Sequence, residues 1–259
     1  MELDNLFAII FRLGIMVIVY FLLFRKFYQD YKRSKQSGFK NTYFLGFTVL
    51  FFILFIFHIA YGAYELYIHT VADHIDMKSQ FGWYARTDDF VGDIVDNQMR
   101  PAYLLFYFLM NCVLAAQVYP LEQANNWKSN PFMKLILICG ATLWLLFIPA
   151  IGNSAFALFP VILGFVGIAL GFFVNILILV KLYKDATGEL KQRALYGIFA
   201  FLLLAIGLVI SMEVGLIMAL SEALTYRWEV VIGSIIQIIG AVFYYKGFKS
   251  ESIETSEAK

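Results

Sequence analysis

Five polar side chains interrupt long apolar stretches of the chain: Arg12, His58, Asn111, Glu213 and Gln237. Glu213, in "VISMEVGLIM", lies inside an apolar run from Leu195 to Leu220. A charge near the centre of a membrane-length helix costs roughly 2.5 to 3.5 kcal/mol, so it pairs with another group or faces water inside the bundle. Counted at 1.5 Å per residue from the outer end of each stretch, all five fall about 9 to 15 Å below the outer membrane surface. One guanidinium, one imidazole, one carboxylate and two amides at a shared depth can bind a small polar ligand or pass a proton. Arg12 with Glu213 is the expected ion pair. Plainer roles compete: Arg12 is near enough to the outer end to snorkel, and His58, in "FIFHIAYGAYELY", can be a satisfied packing residue. Asn111 and Gln237 can simply join helices, at about 1 kcal/mol per interhelical hydrogen bond.

The elements that must hold these residues follow from composition. The chain of 259 residues is 61% hydrophobic and only 15% charged, far from the roughly one quarter charged of soluble domains. A spanning helix needs about 20 mostly apolar residues, and seven stretches qualify, near 6–27, 43–67, 101–119, 132–151, 155–182, 195–220 and 228–246. The expectation is an all-α polytopic membrane protein, one seven-helix transmembrane domain over 1–248 followed by a short polar tail, 249–259, with a disordered composition. Alternating ten-residue strands of a barrel are not seen. The start, "MELDNLFAII", has no basic n-region, so the first helix is expected to stay in the mature chain.

Charge orients the bundle, because cytoplasmic loops carry the Lys/Arg excess. Fifteen basic residues collect on one side, among them Arg25, Lys26, Lys32, Arg33, Lys35 and Lys40 in the first loop, against Lys78, Arg86, Arg100 and Arg227 on the other. The amino terminus is therefore expected outside and the carboxyl terminus in the cytoplasm of a multi-pass cell-membrane protein. One connection is long, the acidic outer segment between the second and third spans. Within it "DDFVGDIVDNQM" places Phe90, Val91, Ile94 and Val95 on one stripe, as in a short amphipathic helix on the membrane surface or folded over the bundle.

Two patterns bear on packing. Gly207, Ser211, Gly215 and Ala219 form a small-residue ridge on the sixth span, with Gly164, Gly167 and Gly171 of the fifth as its expected close neighbour. Glu213 points away from that ridge, so the sixth span is buried on two sides or Glu213 meets another subunit of a homo-oligomer. Separately, Lys26, Tyr28 and Asp30 match Lys181, Tyr183 and Asp185 in spacing, a short hint of a three-plus-one-plus-three plan with parallel halves, as in some carriers.

Other chemistries leave little trace. His69, Asp73 and Asp76 share a face if the second helix continues outward and are the best candidates for a divalent metal, although one helix end rarely makes a site. No phosphate loop, nucleophile elbow or zinc-spaced cysteine pair occurs, and Cys112 and Cys139 read as small buried hydrophobes; an enzyme is the least favoured class. Dispersed basic loops do not make a nucleic-acid surface. The plan resembles rhodopsins and other heptahelical receptors in topology only: the seventh span holds no lysine for a retinal Schiff base, so no cofactor is expected. The expected partners are the lipid bilayer and, through the six basic residues of the first loop, a cytoplasmic protein or anionic headgroups. The reading is a heptahelical sensor or receptor-like protein with a polar cavity in the outer half, set against a small proton-coupled transporter or a non-catalytic membrane subunit.

Overall fold

In the first helix the residues Arg12, Met16, Tyr20, Leu23, Phe27 and Asp30 recur at steps of four and three, and all are buried, while Ile18 and Leu22 on the opposite side are more than half exposed. An α-helical period with an apolar face turned outward needs a solvent that accepts hydrocarbon; in water such a surface would be an aggregation site. The same inversion appears on every helix but the third, which has no exposed large apolar residue among its described side chains, in the computed structural model, which describes residues 3–36, 42–71, 94–124, 127, 129–148, 156, 158–211 and 228–248. The described chain is all-helical, with α1 (Leu3–Gln36), α2 (Thr42–Val71), α3 (Ile94–Ala124), α4 (Pro131–Ala141), α5 (Leu158–Asp185), α6 (Gly188–Ser211) and α7 (Trp228–Phe248). Five segments of these helices are long and apolar enough to cross a membrane: Phe44–Ala63, Leu104–Gln123, Phe159–Asp185, Lys191–Leu208 and Val231–Phe248.

Six helices close a ring. α1 packs on α2, α2 on α3, α3 on α5, α5 on α6, α6 on α7, and α7 returns to α1; α4 lies along the seam of α3 and α5. The ring interior is filled by the largest hydrophobic cluster, drawn mainly from α1, α2, α6 and α7.

Three sequence expectations change. The third helix begins at Ile94, not near 101, so Ile94 and Val95 belong to its first turn and not to a separate surface helix; the rest of that acidic segment lies outside the described residues. The fourth stretch is not one α-helix: after Ala141 it tightens into a 3-10 turn, Thr142–Phe147. Thr142 Oγ1 bonds back to the Cys139 carbonyl at 2.7 Å, a side-chain competitor for the helical ladder. The turn ends at Ile148, extended at φ −79° and ψ 116°, as the following Pro149 demands. Since a 3-10 residue rises about 2.0 Å against 1.5 Å, Pro131–Phe147 reaches about 28 Å, close to the roughly 30 Å of a hydrocarbon core.

The third change concerns Gly207 of the ridge; Gly215, Ala219 and the Ser211 side chain lie outside the described residues. Gly207 meets α7 and not α5: a Cβ there would lie 2.7 Å from the Gly233 carbonyl and 2.6 Å from Gln237 Cγ. A Cβ on Gly240 would lie 3.0 Å from the Leu204 amide nitrogen and 3.1 Å from the Ala200 carbonyl, and one on Gly247 would lie 3.0 Å from Tyr196 Cβ. Glycines seven residues apart on α7 thus bring two backbones together, the device membrane helices use where lipid gives no hydrophobic driving force. The glycines of α5 serve another partner, facing Asn111 and Leu114 of α3 together with Cys139 and Leu143 of the fourth stretch.

Replacing Gly240 with Leu should drive α6 and α7 apart and destabilise the fold by about 1 to 3 kcal/mol. Gly14→Ala, where nothing lies within 4 Å, should be neutral or gain up to about 1 kcal/mol. Thermal unfolding of both variants in detergent checks the contrast; equal midpoints would rule out the seam.

Candidate functional site

Three helices of the ring bring their polar residues to one point. α1 supplies Arg12 and Tyr20 from its buried stripe, α2 supplies His58 and Tyr61, and α7 supplies Gln237; Tyr61 is slightly exposed and the other four are fully buried. The Gln237 stem lies over Gly207, so the missing side chain on α6 makes the room in which the amide sits.

Gln237 Oε1 is the hub. It accepts a hydrogen bond from the Tyr20 hydroxyl at 3.0 Å and one from His58 Nε2 at 3.1 Å. A carbonyl oxygen has two lone pairs and no proton, so both neighbours must donate. His58 therefore carries its proton on Nε2, and Nδ1, also buried, has no hydrogen-bond partner among the described residues. The imidazole is held flat by Tyr20, stacked at 5.0 Å and 18°, and edge-on by Phe57 at 5.4 Å and 83°. About one turn of α2 beyond His58 the Arg12 guanidinium lies over the Tyr61 ring, 4.0 Å from its centroid, a cation–π contact of about 2 kcal/mol or more when desolvated. Full burial removes the snorkelling alternative for Arg12, whose charge acts on both Tyr20 and His58.

Inward of this cluster the ring is filled by aromatic rings. Phe51 packs on Tyr20 and, at 5.3 Å and 15°, on Phe27; Phe47 packs on Phe27 and, at 4.6 Å, on Phe248. Tyr244 closes the layer edge-on to Phe51 and accepts a hydrogen bond from Gln117 Nε2 of α3. The Gln237 cluster thus borders a layer of packed aromatic rings, with the Gln117–Tyr244 hydrogen bond on that layer.

Asn111 does not join them. Its Nδ2 donates to the carbonyls of Tyr107, at 2.9 Å, and Gly164, at 3.3 Å, which makes it a joint between α3 and α5. Shared depth had suggested company, but depth does not fix azimuth. Phe106, which reaches Tyr61, lies five residues away and so about 140° round the helix. Glu213 lies outside the described residues, as do Asp73, Asp76 and the His69 side chain; among the described residues no group of three metal-ligating side chains occurs. The residues matched in the internal repeat sit differently, with Asp30 buried beside Lys26 and Asp185 exposed.

A further buried acid escaped the sequence reading. Glu122 is fully buried and accepts the backbone N–H of Phe132 at 2.8 Å and of Met133 at 3.3 Å. It thereby caps α4 from the end of α3, because Asn130 is in the left-handed region and makes no side-chain cap. Ending the third span at residue 119 puts Glu122 in a loop, whereas α3 runs to Ala124. The usable signal is the first turn of α4, which has no acid of its own to meet its free N–H groups.

Gln237→Leu should leave the Tyr20 hydroxyl and the His58 N–H both without their acceptor, at about 1 to 3 kcal/mol each in the limit of no relaxation. Glu122→Ala should cost about 1 to 2 kcal/mol, more than Glu122→Gln, which keeps one acceptor oxygen. Unfolding in detergent checks both, and no change in either would remove the corresponding assignment. Comparison with protein-family models, with curated proteins and with solved structures finds no match to this chain.

Proposed function

We propose that the chain is a multi-pass membrane sensor whose outer-half polar cluster receives a small polar ligand. The observation that carries this reading is the convergence of Tyr20 and His58 on Gln237 beneath Arg12, above a plug of stacked aromatic rings. In this reading α1 and the two-part fourth stretch join the five long apolar segments as spans. Seven crossings and the Lys/Arg bias then put the amino terminus and the polar cluster outside and the basic loops in the cytoplasm.

The chemistry available is recognition and relay. Arg12 offers a fixed positive charge, with Glu213 proposed as its counter-charge, and His58 Nδ1 offers an acceptor. A ligand that donates to Nδ1 or draws on Arg12 pulls on the ring whose other nitrogen holds Gln237. Gln237 and Tyr244 lie on one helix two turns apart, and Tyr244 is tied to Gln117 across the ring. Displacing Gln237 therefore loads a bond in the half of the protein that faces the basic loops. A plug between the two halves favours such a relay over a carrier, which needs access from both sides.

Flux measured in liposomes separates the two. Wild type and Glu213→Gln should both pass protons no faster than protein-free vesicles. A proton flux in wild type that Glu213→Gln abolishes would replace the sensor with a proton-coupled carrier.

A further inference from the structure

Away from the polar cluster, α2, α3 and α4 enclose a groove of about 330 Å³. Val49 and Ile53 form one wall, Cys112, Ala116 and Tyr119 the floor, and Leu137 the other wall. We infer that this groove binds one acyl chain of a phospholipid in the leaflet on the side of the α3–α4 connection. The inference rests on the membrane reading of the chain and not on the sensor reading.

Three observations select that occupant. Depth and direction come first: α2 starts its apolar segment at Phe44, and from there to Ile53 the helix descends about 13 Å, close to the roughly 15 Å of hydrocarbon in one leaflet. The groove thus follows a single lipid tail along most of its length. Size comes second. At about 30 Å³ per water-sized unit the groove holds on the order of ten such units. A partner helix of the same length and about 10 Å diameter has a volume on the order of 1,000 Å³, so its side chains could enter but its body could not. The mouth is third. Beside the lining residue Met133 α4 carries Lys134, and the connection before it carries Trp127, tilted against Phe132 at 5.6 Å and 47°; both are exposed, as residues at the headgroup level are.

What holds the chain is packing. Lipid tails and leucines are equally apolar, so no hydrophobic gain accompanies entry; the gain is dispersion against a floor kept low by Ala115 and Ala116. A tail lying there would also cover Cys112, a half-buried thiol at the inner end of the floor.

Native mass spectrometry tests this on full-length protein reconstituted with palmitoyl-oleoyl phosphatidylglycerol and then returned to detergent. One lipid should survive the activation that strips the others. Ala116→Phe fills the floor, and Val49→Trp covers the groove from a rim position that needs no repacking; each should lower the retained fraction by about tenfold. Ile162→Phe, on the lipid-facing side of α5, should leave it unchanged. Release of all lipids together by wild type, or retention by both groove variants, overturns the proposal, as does loss in Ile162→Phe. A doubled protein mass that the groove variants halve would assign the groove to a second copy instead. Thermal unfolding of each variant separates a lost site from a lost fold, with Val49→Trp decisive if Ala116→Phe does not fold. Carbonate washing of the same membranes reports on the premise: protein in the supernatant would sink the membrane reading itself.

Discussion

Hydrocarbon makes no hydrogen bonds, and the architecture of this chain follows from that constraint. A buried polar group is costly unless it finds a partner on another helix or on its own backbone, and His58 Nδ1 is an exception among the described residues. Gln237 finds its partners by accepting twice, from α1 and from α2. Asn111 does so by reaching the α5 backbone, and Glu122 by reaching the bare amides of α4. Each of these bonds crosses from one helix to another, so the polar residues that a membrane tolerates least are also those that fix which helices are neighbours.

Apolar contacts alone would not have specified the ring. Phenylalanine and leucine are nearly as content against lipid as against one another, and many of them do face outward here. Close approach supplies the rest of the selectivity. Where α6 meets α7, glycines admit backbone to backbone. At α3 and α5 they admit the flank of Asn111, whose amide then has the Gly164 carbonyl within reach. Small residues and polar residues thus work together, one making the space in which the other bonds.

How much of this was legible in the sequence depends on which coordinate is asked for. Position along the helix axes was: a helix rises by a constant step, so Arg12, His58 and Gln237 were expected at one level, and the structure brings them to one cluster. Rotation about those axes was not. Asn111 has a suitable depth and the wrong azimuth, and the ridge through Gly207 announces close approach without naming α7 as its partner. Helix ends were harder again. The third segment stays helical past the point where apolar residues thin out, because Glu122 has amides to meet. The fourth abandons the α-helix inside an apolar run, because of a threonine hydroxyl and a coming proline.

The seam between α6 and α7 has a mechanical corollary. Two rods whose main chains touch at three heights resist bending far more than either alone, and they cannot hinge apart without opening voids. They can only translate or tilt as a unit. A tug on the Gln237 amide, midway along α7, is then delivered, with little attenuation, to Phe248 at the end of the beam.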